Sequence, residues 1–339
     1  MRLTIIIPTR AGDGRTAETC LDALRDQLAP GDEVIVSVDG EHAPERLADR
    51  PDIRVVAGPK AGPGGARNRA LEQASGEVIL FLNDDVVAHE GLLDAHRRAH
   101  GERGPGHPAM VLGSAPWEVP ADDRVIDRLV RATSMIFFYD RMTDPDSDRD
   151  WGFRHAWTLN LSLPASIMRR YDERLAQPMF DDLEWAARVQ QETGAPVLYR
   201  PGACVTHRHR YTPAMLLRRE ALLGHQAGEL HKVNPPVARD VFGDRYEHTP
   251  DRVGDHETQL CAHEAGARAA FADLLAITHD PADSIDDEGV AALFGSCRAW
   301  RDAARSIGFL GWAEGRDAQA VQADAEGRLA GSIAARAAS

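Results

Sequence analysis

No stretch of this chain approaches the roughly 18 consecutive apolar residues a membrane-spanning helix needs, so no span is expected. The N-terminus has no charged region leading into a long apolar run, so no signal peptide is expected either. Cysteine is scarce. The 339 residues hold 4, at Cys20, Cys204, Cys261 and Cys297, with no CxxC spacing. Such scattered thiols argue against a disulfide framework and fit a reduced, cytoplasmic protein. His256, Cys261 and His263 lie near one another but lack a fourth ligand at zinc-site spacing. Basic charge is also short, with 39 Lys and Arg against 53 Asp and Glu, a net charge of −14. That balance argues against broad attraction to nucleic acid or to an anionic membrane. A polyanionic ligand would need a local basic patch or a metal. Neither a Gly-x-Ser-x-Gly elbow nor a P-loop is present, and there is no internal repeat.

What is present is an alternation of strands and helices, which predicts an α/β fold with a mixed, mostly parallel sheet flanked by helices. Leu3 to Ile7 predicts a buried strand stopped by Pro8, which cannot donate to a ladder. Leu21, Leu24 and Leu28 recur at helical spacing, with Thr16 or Asp13 as candidate cap. Further strands are expected at Val34 to Val38, Ile53 to Val56, Val78 to Leu82 and Met110 to Leu112. A helix is expected from Ala66 to Ala74, after a Gly58 to Gly65 loop. Another is expected over Val125 to Tyr139, followed by an acidic loop at Asp140 to Asp150. Trp157 to Leu163 alternates like a strand, Asp181 to Thr193 like a helix ended by Gly194. Val197 to Tyr199 and Ala203 to Val205 are expected as two short strands. After about Pro213 the strand pattern ends. The expected organisation is a domain over 1–213 and a mostly helical region over 214–339, broken at Pro235-Pro236, Pro250 and Pro281, with an Ala-rich tail after Gly315 expected to fray.

Three polar clusters interrupt this apolar framework. The strand Val78 to Leu82 ends in Asn83-Asp84-Asp85. A carboxylate pair at the C-terminal end of such a strand sits where open α/β sheets bind ligands. The two charges repel unless a cation or a proton relieves them. A divalent metal carrying a phosphate would do so; a solvated turn is the plainer alternative. The second cluster is Phe180 to Arg188, where Asp181, Glu184 and Arg188 share a helix face. Asp182 falls in the first turn. There the helix dipole should keep it ionised, as a general base requires, although simple capping explains it too. The third is His207 at the end of a strand, able to complete a metal site with a distant carboxylate or to be merely structural. His209 is expected to face away from it.

Seven segments in order resemble the family 2 glycosyltransferases, which have the Rossmann-like GT-A fold. They are Ile5 to Thr9, Val36 to Gly40, Gly62 to Asn68, Phe81 to Asp85, Thr158 to Ser162, Phe180 to Arg188 and Val205 to His207. The resemblance covers about residues 1–215. It implies an inverting transferase that moves a sugar from a nucleotide-diphosphate donor to an acceptor hydroxyl. UDP is favoured, with GDP and dTDP also compatible. The acceptor, a saccharide, a lipid-linked glycan or a small molecule, is not readable.

By the same resemblance, Asp39, Thr9 and the neighbouring Pro8 and Arg10 lie at the donor base. Arg67, Asn83 and Asp84 lie along the nucleotide. Asp85 and His207 hold Mn²⁺ or Mg²⁺. Asp182, or Asp181 beside it, is the base. Asn160, Ser162 and Trp157 lie on the acceptor side. Two positions depart from the family pattern, Asn83 where a carboxylate is usual and Asp181 where a glutamate is. The C-terminal region is expected to shape the acceptor side or to form a homodimer interface.

Two rival readings compete. Gly12-Asp13-Gly14-Arg15-Thr16-Ala17 satisfies a dinucleotide-binding fingerprint, with Asp39 at the distance of a ribose-binding acid, which would indicate an NAD-dependent oxidoreductase. Pro8 and three more residues separate it from the strand it should leave directly. The other rival is a nucleotide-sugar-binding protein without catalysis.

Overall fold

The computed structural model describes residues 1–10, 12 and 14–331. In chain order the elements are β1 (Leu3–Arg10), α1 (Arg15–Leu24), β2 (Glu33–Asp39), α2 (Glu45–Ala48), β3 (Arg54–Gly58) and α3 (Gly62–Leu71). There follow β4 (Val78–Leu82), β5 (Val86–Ala88), α4 (Leu92–Arg103), β6 (Met110–Ser114), α5 (Val125–Ala132), β7 (Asn160–Pro164), α6 (Asp181–Thr193) and β8 (Val197–His207). The remainder is helical: α7 (Pro213–Val233), α8 (Pro235–Phe242), α9 (Pro250–Ile277), α10 (Asp287–Ala313) and α11 (Ala318–Ala325). No helix among the described residues is long and apolar enough to cross a membrane.

The chain divides into two compact units. The first comprises Met1–Glu118 and Arg141–His209, the second Val119–Asp140 and the chain from Arg210 on. Residues 119–140 thus group with the C-terminal helices, an association over long sequence distance that local pattern does not carry.

In the first unit the strands form one sheet, in the order β3-β2-β1-β4-β7-β6-β8-β5. The first four run parallel, β7 is antiparallel to both β4 and β6, β8 is parallel to β6, and β5 is antiparallel to β8. This is the expected mixed sheet. All five residues of β4 are buried, as a strand covered on both faces requires.

Several local expectations need correction. β1 does not stop at Pro8 but runs through it to Arg10, paired with β2. On the other side its pairing with β4 ends at Ile6, so a missing N–H beyond that point disturbs no ladder. α3 starts at Gly62, inside the expected loop, with proline in its first turn. Its glycines answer to packing. A Cβ on Gly62 would strike the Ala176 carbonyl, and one on Gly65 would meet Ala61. β5 and α4 were not anticipated. β7 begins at Asn160, later than Trp157, and α5 ends at Ala132, short of Tyr139. β8 is a single strand with a register shift rather than two strands. α1 is entered through Gly14 in the left-handed region, without a side-chain cap. Thr16 lies inside the helix, and Asp13 lies outside the described residues. The tail expected to fray after Gly315 instead forms α11, with Val321 and Ala325 buried, and only its part after Gly331 lies outside the described residues.

In the second unit, prolines start helices rather than merely breaking them. Thr212, Asn234 and Thr249 cap α7, α8 and α9, each followed by proline in the first turn. α7 and α10 cross at backbone contact. A Cβ on Gly224 would run into the Arg305 carbonyl, and one on Gly308 into that of Ala221. Next to the crossing Glu220 is fully buried and held by Arg219, Arg301 and Arg305 at 3.2, 3.3 and 2.5 Å. Gly224→Ala should therefore destabilise the second unit by about 1–3 kcal/mol through overpacking. Thermal denaturation should show a fall of about 2–4 °C per kcal/mol; an unchanged midpoint would mean the helices separate freely.

Candidate functional site

The strands that end at the site carry its residues out of the sheet on their C-terminal sides. β4 delivers Asn83, Asp84 and Asp85. β1 delivers Thr9, whose hydroxyl donates to Asp84 at 2.5 Å. Pro8 beside it is half-buried and Arg10 is exposed. Burial raises the pKa of Asp84, the Thr9 hydrogen bond opposes this, and the Asp85 charge adds to it. The neighbouring carboxylates therefore stand in different electrostatic surroundings.

Asp85 is held differently. Its Oδ2 lies 3.4 Å from His207 Nε2 and 3.3 Å from His209 Nδ1. Burial pushes its pKa up, but hydrogen bonds and charge from the two imidazoles outweigh it, leaving the carboxyl well below the usual range. His207 is the last residue of β8, pairs with Val86 and stacks on Trp117 at 4.2 Å. His209 does not face away as expected. Residues two apart on an extended chain share a side, so the spacing itself carried this signal.

The donor set suits a hard or borderline divalent cation. Asp85 Oδ1 is buried without a hydrogen-bond partner, a charged oxygen that a cation would satisfy. Among the described residues no group of three or more His, Cys, Asp or Glu side chains could hold an ion by itself. Asp85 and His207 alone would leave a bound cation short of protein ligands. A cavity of about 260 Å³ opens beside them, lined by Asp84, Asp85, Arg15, Thr16, Thr19 and Arg208.

α6 brings the second pair of carboxylates. Met179, just before the helix, has φ of 128°, a strained conformation for a residue with a side chain, and its N–H helps hold Asp181. Asp181 is 5% exposed, Asp182 half-buried. Arg67 from α3, 4% exposed, joins this pair to the triplet, with Asp181 at 3.3 Å and Asn83 at 3.4 Å. The amide at position 83, where a carboxylate is usual, accepts a hydrogen bond from Arg67.

Asp182 departs from expectation. Its Oδ1 accepts the Leu183 N–H at 2.8 Å, as a first-turn carboxylate should. Yet enclosure and the neighbouring Asp181 charge push its pKa up to about 7, against the pull of Arg67 and the backbone N–H groups. Desolvation outweighs the helix dipole here.

Other expected residues are placed as follows. Asp39 accepts from the N–H groups of Ala61 at 2.7 Å and Gly62 at 3.2 Å and faces Arg69 at 3.5 Å, so it anchors the start of α3. Asn160 and Ser162 do not line an acceptor side. Both are fully buried, and their polar groups are taken up by His96, His100, Ser114 and Ala203. His96 and His100 were not singled out from the sequence, although their i, i+4 spacing puts them on one helix face. Trp157 is half-buried, beside His155 at 5.5 Å. Trp185, at the α6 end of this region, is fully buried in the core against Phe81 and Tyr171.

The chain is similar to known proteins in sequence and in fold. A family model described as Glycosyl transferase family 2 matches residues 4–144. The pre-mycofactocin glycosyltransferase of Mycobacterium tuberculosis, in two strains, is 29% identical over 257 residues, 69% of this chain and 48% of that protein. The chain thus spans about half the length of the curated relatives it matches. Among solved structures, a mannosyltransferase from Pyrobaculum calidifontis in complex with GDP-Man and Mn²⁺ aligns over 93% of this chain and 88% of its own, at 17% identity and a TM-score of 0.52. That likeness is one of fold.

The raised pKa of Asp182 gives a test of stability. A folded-state pKa near 7 lies above the unfolded value, so the folded protein retains a proton that the unfolded chain releases. Wild-type stability should fall as pH rises from about 4 through about 7. Asp182→Asn escapes this loss, so its melting temperature should exceed that of the wild type at pH 8 and converge with it near pH 4. Parallel curves would show that Asp182 ionises normally.

Proposed function

We propose that this chain, whose residues 4–144 match a Glycosyl transferase family 2 model and whose fold is GT-A, moves a sugar from a nucleotide-diphosphate donor to an acceptor hydroxyl with inversion. The observation that carries this is the link through Arg67. It sets a carboxylate pair with raised pKa at the start of α6 beside the acidic end of β4. One end then suits a proton acceptor and the other a charged leaving group.

Asp182 takes the proton from the acceptor hydroxyl, and a pKa near neutrality suits a base working at neutral pH. The acceptor oxygen bonds to the anomeric carbon as the bond to the donor phosphate breaks, and the nucleoside diphosphate departs with that electron pair. Asp181, paired with Arg67, supports Asp182 and is the less suited of the two to be the base. Asp85 and His207 would hold a divalent metal, Mn²⁺ or Mg²⁺, with His209 sharing the carboxylate. When bound, such a metal neutralises charge on the leaving diphosphate. Thr9 orients Asp84, and Asp39, only partly shielded, keeps lone pairs for a base N–H. UDP is the favoured donor nucleotide. The acceptor-side assignment rests on Trp157 alone.

A dehydrogenase accounts for less of the structure. The paired aspartates of α6 would have no task in it.

Calorimetric titration of UDP, GDP, dTDP and NAD, each with Mn²⁺ and with EDTA, tests the reading. Binding of one nucleoside diphosphate only with metal is expected, and metal-independent NAD binding would overturn it. Asp182→Asn should lower transfer by about 10²- to 10⁴-fold while sparing donor binding. Equal loss of both would remove Asp182 from the role of base, and full donor binding without transfer by the wild type would favour a binding protein. Asp85→Ala should abolish the metal dependence of donor binding.

A further inference from the structure

A chain of buried hydrogen bonds runs from α4 to β8, and its chemistry fixes its direction. His96 and His100 both touch Ser162: His96 Nδ1 and His100 Nε2 each lie 2.8 Å from its Oγ. His96 Nε2 lies 2.9 Å from Asn160 Oδ1. The Asn160 Nδ2 group donates to the carbonyls of Ser114 at 3.0 Å and Ala203 at 2.8 Å. Carbonyl oxygens only accept, so the amide orientation is set and Oδ1 must accept. His96 Nε2 therefore carries the hydrogen, and its Nδ1 accepts from the Ser162 hydroxyl. Ser162 Oγ in turn accepts from His100 Nε2–H. Burial holds both imidazoles neutral, with pKa values down to about 4 and about 3. The chain is complete at every link, which fully satisfied buried networks require.

Its far end reaches a strand that is not a neighbour of β7 in the sheet. Asn160 belongs to β7 and Ala203 to β8, with β6 between them. The crossing happens at Gly113, where a Cβ would strike both the Asn160 amide and the Ala203 carbonyl. The register of β6 against β8 slips at that point, from Gly113↔Arg200 to Ser114↔Cys204. On its other side Asn160 pairs with Leu82, the last residue of β4. One residue thus ties the strand that delivers Asn83-Asp84-Asp85 to the strand that ends in His207.

We propose that Asn160, held by His96, Ser162 and His100, is a positioning residue that sets the separation of Asp85 and His207, and so the affinity for a divalent cation with its nucleoside diphosphate. This rests on the reading of the site given above. His96→Phe removes the donor to Asn160, whereas His96→Gln restores an amide N–H near the place of Nε2–H. UDP, GDP and dTDP would be titrated with Mn²⁺ and with EDTA into the wild type and both variants. His96→Phe should weaken metal-dependent binding about 10-fold or more, as loss of supporting groups around a metal does. His96→Gln should recover most of the loss, and metal-free binding should not move. Wild-type affinity in His96→Phe, or equal loss in both variants, would overturn the proposal.

If the wild type shows no metal-dependent binding, the functional reading fails on its own. Amide hydrogen exchange then still decides the positioning role. His96→Phe, or Ser162→Ala should the former not fold, should speed exchange at residues 203–207 and leave β1 unchanged. Unchanged exchange at 203–207 would also overturn it.

Discussion

Arg67 lies almost entirely out of solvent, with one guanidinium nitrogen toward Asp181 and another toward Asn83, over the rings of Phe81 and Tyr171. Each group in this arrangement depends on the others. Asp181 is buried and would be an uncompensated charge without the arginine, a loss of about 3–5 kcal/mol in comparable buried pairs. Arg67 in turn is delivered by a helix whose first turn is all but bare of side chains, because Ala176, Tyr171 and Ala61 crowd it. Asp39 anchors the start of that helix through the N–H groups of Ala61 and Gly62. The position of the α6 carboxylates therefore follows from glycine packing at α3, some 115 residues earlier in the chain (|i−j| 114 for Arg67 and Asp181).

The same enclosure explains why the acidic groups of the first unit divide into different states. Asp85 has two imidazoles against it and is held ionised. Asp84 has a hydroxyl and a like charge, and its pKa rises. Asp182 has a like charge and little water, and its pKa rises further. Neighbouring carboxylates whose environments push them apart are the usual arrangement for separating acid, base and charge-stabilising tasks. The strain at Met179 belongs to this picture, since it turns a backbone N–H toward Asp181 at the point where α6 begins.

Much of this was legible in the sequence. The apolar run of β4 ending in Asn83-Asp84-Asp85 placed a polar cluster at a strand end, because a strand buried on both faces cannot continue through three polar residues. Gly194 marked the end of α6 by the left-handed geometry it adopts. The helical character of the chain after Pro213 followed from the loss of strand alternation, although prolines read as breaks turned out to start helices. Seven short segments in a family's order carried the fold. What failed were inferences from local rules that packing overrides. Pro8 was tolerated because β1 outruns β4. Gly62 to Gly65 became helix because close contact excludes anything larger. Asn160 and Ser162 turned inward because two histidines of an unanticipated helix met them there.

The sequence by itself determined which residues are apolar, where strands end in carboxylates, and which segments cap or break helices. These are short-range properties, written in spacing and side-chain chemistry. Only the tertiary structure decided which carboxylates share an environment and how far each is removed from water. It also decided that Asn160 reaches across β6 to β8 and that residues 119–140 pack with the C-terminal helices. Protonation and partner choice depend on desolvation and on contacts between residues far apart in the chain, and neither is a function of local sequence.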